Sequence, residues 1–127
     1  MALLVQKYGG TSVGSPERIK NVAKRIARAR AEGYDVVVVV SAMSGETNRL
    51  VALAHEIQEF PDPREMDVVL ATGEQVTIGL LAMALMDIGV PAKSYTGWQV
   101  AVQTDNAHTK ARIECIDDAK MRADLAA

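Results

Sequence analysis

Five consecutive valines, Val36 to Val40, constrain the fold of this chain more than any other segment. Valine is stiff at χ1 and packs well on a pleated surface. A valine run with no polar alternation reads as a strand buried on both faces, as in the centre of a parallel sheet. Upstream, apolar Ile19, Val22, Ala23, Ile26 and Ala27 recur at helical spacing between Pro16 and Glu32, and Gly33 is a suitable C-terminal stop. Further upstream, Leu3-Leu4-Val5 reads as a second short buried strand. Residues 3–40 are therefore strand, helix, strand, and the crossover between the two strands should be right-handed.

The connection from the first strand to the helix carries the run Lys7-Tyr8-Gly9-Gly10-Thr11-Ser12-Val13-Gly14. Ser15-Pro16-Glu17 follows, with a capping serine, proline at the first helical position and an acid in the first turn. Strand, glycine turn, helix is a geometry that aims backbone N–H groups at an anion. Neither of two common glycine motifs is present. The dinucleotide fingerprint needs glycine where Thr11 stands, and a P-loop needs Lys and Ser/Thr where Ser15-Pro16 stands. Spacing alone leaves two readings open: an anion cradle with Lys7 beside it, or a tight turn with an ordinary surface lysine.

The 127 residues suffice for one modest domain, and the core must be aliphatic because only 4% are aromatic. The formal charge is −2 with acids and bases interspersed, and no basic stripe carries aromatic residues, so no nucleic-acid partner is expected. Lys20, Lys24, Arg25, Arg28 and Arg30 read as the solvated face of the first helix. The lone cysteine, Cys115, excludes an internal disulfide and suits a reducing compartment. Its place in a strand-like segment predicts a buried, inert thiol. His55 and His108 lack partners at metal-ligand spacing, and no metal site is expected. No signal peptide is evident, and no apolar run approaches the roughly 20 residues of a membrane span. These features predict a soluble, cytoplasmic protein with no membrane partner.

Beyond the valines, Ser41 to Gly45 is a small polar loop. A second helix is expected from Thr47 to Phe60, broken by Pro61-Asp62-Pro63. Two more helices are expected at Arg64–Ala71 and Val76–Ile88, interrupted by Thr72-Gly73-Glu74-Gln75. Strands are expected at Ala92–Tyr95, Val100–Thr104 and Arg112–Ile116, with a last helix capped by Asp117 or Asp118. Alternating strands and helices predict an α/β domain with a mostly parallel sheet. Ligands of such sheets gather beyond the carboxyl ends of the strands. Lys7 to Gly10, Ser41 to Asn48 and Thr96-Gly97 all fall at such ends.

Three segments in order, Lys7-Tyr8-Gly9-Gly10-Thr11-Ser12, Val40-Ser41-Ala42-Met43-Ser44-Gly45-Glu46-Thr47-Asn48 and Thr72-Gly73-Glu74, resemble the amino-terminal part of the aspartate kinases. The likeness extends to Ser94-Tyr95-Thr96-Gly97 and Asn106-Ala107-His108. It implies the three-layer α/β/α sandwich of the amino-acid kinase fold, of which residues 1–127 would be the N-terminal portion. It also implies phosphoryl transfer from ATP, with Mg²⁺ bound through the nucleotide, to the side-chain carboxylate of L-aspartate. The product would be 4-phospho-L-aspartate, on the route to lysine, threonine and methionine. Under the resemblance Lys7 is the catalytic cation. Lys7, Tyr8, Gly9, Gly10 and Ser41 hold ATP phosphates, and Thr47, with neighbours Gly45 to Arg49, and Glu74 hold the substrate. Read without it, Thr47 is equally a helix N-cap and Glu74 a helix-terminal carboxylate. Acetylglutamate kinase, glutamate 5-kinase and a non-catalytic folding or oligomerisation module are the alternatives. The family's nucleotide-binding half and ACT regulatory domains have no counterpart in this sequence. The expectation is therefore a fragment inactive alone and a homo-oligomer when intact.

Overall fold

In the computed structural model, which describes residues 2–127, β1 (Leu3–Tyr8) and β2 (Asp35–Val40) pair in parallel, with Val5 opposite Val37 and Lys7 opposite Val39. They are joined by a single 3-10 turn, Gly10–Val13, and by α1 (Pro16–Ala31). The start of α1 follows its sequence signals: the Ser15 hydroxyl accepts from the Arg18 N–H at 3.2 Å, with Pro16 at the first turn. Its end is set by Gly33 at φ +98°, where the N–H groups of Gly33 and Tyr34 satisfy the carbonyls of Arg30 and Ala29. The inner stripe, Ile19, Val22, Ala23 and Ile26, is buried.

That stripe packs with Val13, Leu81 and Leu85, and against the sheet face formed by Tyr8, Val36, Val38 and Val40. Val13 is fully buried, so the glycine run is nailed to the core from within. Arg18 adds an outer clip by donating to the Thr11 carbonyl at 2.7 Å.

The opposite sheet face corrects the reading of the valine run. Leu3, Val5 and Val39 stand 48%, 61% and 49% exposed, on the side of the sheet that carries Lys7. Among the described residues only two strands form this sheet, and α1 and α3 cover one face of it. The run is apolar on both faces, yet within this chain only one face has a cover. The isolated 127-residue chain should therefore self-associate as its concentration rises, through the open face or the free strand edges. Sedimentation velocity over a concentration series checks this; a monomer at every concentration, with cooperative unfolding, would contradict it.

Helix α2 (Glu46–Ile57) starts one residue earlier than expected and stops three earlier. The larger difference is α3, one continuous helix from Pro63 to Asp87, capped by the Asp62 carboxylate on the Glu65 N–H. The two expected helices are one because Gly73 does not break the helix. It is buried at the contact with Ala42 and α2, alongside Thr77, whose hydroxyl donates to the Gly73 carbonyl at 3.2 Å. Joined, the two apolar stretches make a helix long and apolar enough to span a membrane by length and composition, contrary to the sequence reading. Its residues Leu81 and Leu85 nevertheless belong to the core.

After α3 the chain is less regular. The expected strand Ala92–Tyr95 is absent; Val90 and Ala92 pack on the core, but no ladder forms there. β3 (Val102–Thr104) and β4 (Ile113–Ile116) form a separate antiparallel pair with an irregular register, followed by α4 (Ala119–Ala126). All of β4 is exposed, so Cys115 is an exposed thiol and not the buried one expected. The Asp67 carboxylate ties this region to α3, accepting from the Thr109 N–H at 3.1 Å and contacting His108 Nδ1 at 3.2 Å.

Candidate active site

At the carboxyl ends of β1 and β2 a cavity of ≈ 410 Å³ opens between the glycine turn, the loop 41–45, the start of α2 and the middle of α3. Its polar lining consists of four hydroxyl residues, Thr11, Ser41, Ser44 and Thr47, the amide of Asn48, and Glu74. Glu74 is the one charged side chain in that lining, and it enters none of the ion pairs among the described residues.

Each wall has a local cause. The Ser41 N–H donates to the Tyr8 carbonyl at 3.2 Å, continuing the β1–β2 ladder by one bond and fixing where the loop leaves the sheet. The 3-10 turn begins at Gly10, and the first N–H groups of such a turn have no intrahelical acceptor. Gly10 and Thr11, at that start, both line the cavity. Gly45 caps α2 with φ +81° and no side-chain cap bond. Thr47 is therefore not an N-cap, and its side chain is exposed at the cavity. Glu74 is not helix-terminal either, since it lies near the midpoint of α3.

Four predicted site residues, Gly10, Ser41, Thr47 and Glu74, thus meet in one cavity. Lys7 is exposed on the open face of β1, near this end of the sheet but outside the cavity's lining, and it too enters none of the ion pairs among the described residues. Gly9 directly precedes the 3-10 turn as its cap. The Tyr8 side chain turns to the core side, donating to Gln6 Oε1 at 2.9 Å, so only its backbone serves the loop. Thr96-Gly97 does not reach the cavity. Arg49, grouped with the pocket by sequence, is held by Glu46 through two bonds at 2.5 and 3.1 Å. That bond keeps the Glu46 carboxyl below its ordinary range and raises the Arg49 guanidinium, so the pair is ionised at neutral pH. Glu46 then sits as an anion in the first turn of α2, where the helix dipole favours it. Thr11 and Ser44 were not singled out by sequence; the available signal was a hydroxyl residue beside each glycine of the two loops.

A parallel α/β unit with a hydroxyl-rich cleft at its strand ends, adjoining a glycine turn, is an arrangement physically suited to small anions. The sequence pattern of the amino acid kinase family matches residues 2–126, and the chain belongs to that family. It is 66% identical to the aspartokinase of Pseudomonas aeruginosa over 127 residues, all of this chain and 31% of that protein. It is 56% identical to aspartokinase 2 of Bacillus subtilis over 117 residues, 92% of this chain and 29% of that protein. The chain thus spans about a third of the length of these relatives. Among solved structures, the aspartate kinase from Synechocystis matches with TM-score 0.76 and 57% identity, over 78% of this chain and 17% of that one. E. coli aspartokinase III in complex with aspartate and ADP matches with TM-score 0.73 over 90% of this chain and 35% of that one; at 22% identity this likeness concerns the fold alone.

Proposed function

We propose that this chain is the amino-terminal portion of an aspartate kinase, in which a side-chain carboxylate oxygen of L-aspartate attacks the γ-phosphorus of ATP. A new P–O bond gives 4-phospho-L-aspartate, and the bond to the β-phosphate oxygen breaks to release ADP. The observation that carries this reading is the cavity's chemistry: hydroxyl and amide donors beside a glycine turn, with one uncommitted carboxylate, Glu74. A carboxylate among donors suits a ligand that is anionic at one end and cationic at the other. The Glu74 carboxylate would take the substrate's α-ammonium, and Thr47 its α-carboxylate. Lys7 would offset charge on the transferring phosphoryl group, with the Gly9 and Gly10 N–H groups and the Ser41 hydroxyl on its oxygens. Such transfer depends on positioning and fixed charge, and the carboxylate nucleophile needs no base at neutral pH.

Mg²⁺ enters this scheme on the nucleotide. The nucleotide-binding half and the regulatory domains lie outside residues 1–127 in the proposal, so the chain alone would be inactive. The intact enzyme would be a cytoplasmic homo-oligomer. Glu74 also argues against one family alternative: acetylglutamate has no ammonium group, and an unpaired carboxylate in the cavity would repel it, whereas L-glutamate keeps its ammonium and is separated by side-chain length. Calorimetry on the complete enzyme with L-aspartate, succinate, L-glutamate and acetylglutamate tests the assignment. L-Aspartate should bind tightest of the four. Equal or tighter binding of acetylglutamate would overturn it.

A further inference from the structure

Ala42 lies where the loop after β2 meets both the glycine turn and α3. It is buried, and two glycines face it from different elements. A Cβ added to Gly73 would stand 3.0 Å from the Ala42 methyl, with Leu50 Cδ1 at 3.6 Å and Glu46 Cγ at 3.8 Å. A Cβ added to Gly10 would stand 3.0 Å from the Ala42 carbonyl oxygen. The loop is thus held between two surfaces that carry no side chain. The residue after Gly73 is Glu74, and Gly10 opens the turn on the other wall of the cavity.

We propose that Ala42, seated between Gly73 and Gly10, is a positioning residue that sets the separation of Glu74 from the glycine turn and thereby the fit of the amino-acid substrate. The inference rests on the proposed aspartate kinase reading. Its physical basis is that α3 can approach the loop only because Gly73 presents a hydrogen. A methyl there cannot fit without moving α3 or the loop by a few tenths of an ångström, and Glu74 moves with the helix backbone. Alanine is otherwise the better helix former at an interior position, so the substitution gains helix propensity while losing the close contact. The geometry of the cavity should respond more than stability does.

The test uses the complete enzyme. Gly73→Ala should raise KM for L-aspartate by roughly tenfold, the scale on which small misplacements act, while KM for ATP stays within about twofold. Removing the opposing methyl in the double variant Gly73→Ala/Ala42→Gly should return KM for aspartate close to the wild-type value. The double variant conserves total volume, and it keeps the test available if Gly73→Ala alone folds poorly. Gly10→Ala presses on a carbonyl oxygen and not on the methyl, so Ala42→Gly should leave its defect in place. An unchanged KM in Gly73→Ala, or a raised one that the double variant retains, would overturn the proposal; so would rescue of Gly10→Ala. A wild-type enzyme without aspartate kinase activity would remove the underlying reading and this inference with it, an outcome distinct from active wild type with unresponsive variants.

Discussion

Replacing Lys7 by methionine in the complete enzyme should lower kcat for phosphoryl transfer by about 10³-fold, the scale for losing a fixed charge or donor at the group where charge develops. The structure makes this a clean experiment. Lys7 is an exposed residue of β1 whose backbone pairs opposite Val39, and its ammonium enters none of the ion pairs among the described residues. Methionine keeps an unbranched stem of similar reach and removes the charge together with its N–H donors. Folding should therefore be retained, as judged by thermal unfolding, and KM for aspartate should change little. Lys7→Arg should recover only part of the loss, because a planar guanidinium places its charge and donors differently from a compact ammonium. A Lys7→Met enzyme with near-normal kcat would assign Lys7 to the surface.

The second large effect is expected at Glu74. Glu74→Gln preserves shape and α3 helix propensity but removes the one charge in the cavity lining. Hydrogen bonds to charged groups are worth ~1.5–3 kcal/mol, so KM for L-aspartate should rise by roughly 30-fold while kcat is largely kept. Discrimination against succinate, which lacks the ammonium, should fall by a similar factor. That paired change separates lost ammonium recognition from general damage, which would lower turnover of both compounds together.

Local signals were readable wherever they were self-sufficient. The cap and end of α1 follow from Ser15, Pro16 and Gly33 alone, and the parallel pairing of β1 with β2 follows from the helix between them. Errors arose where tertiary contact decides. Gly73 reads as a helix break because glycine is entropically costly in a helix, yet here the missing side chain admits Ala42. The valine run reports a preference for burial on both faces, but a sequence cannot say what covers each face; Val39 remains half-exposed. The sequence around Cys115 forms a strand, yet its thiol is exposed, because among the described residues β4 has β3 alone beside it.

For the candidate site, the sequence made the location legible and left the roles to experiment. Gly10, Ser41, Thr47 and Glu74 come from three separate segments and line one cavity. Tyr8 could not be resolved by motif, since its backbone holds the Ser41 loop while its ring faces the core. Thr11 and Ser44 carry only the signal of a hydroxyl residue beside a loop glycine, and the cavity shows their place.

The central claim is that the cavity beside the glycine turn presents an amino acid's side-chain carboxylate to a phosphoryl donor. Trapping the product with hydroxylamine measures this directly, because an acyl phosphate is a mixed anhydride that yields a hydroxamate and a phosphate ester does not. The complete wild-type enzyme with ATP, Mg²⁺ and L-aspartate should form aspartyl hydroxamate, and the Lys7→Met enzyme should form it at a rate near background. Absence of hydroxamate from the wild-type enzyme, or equal formation by both, would contradict the account.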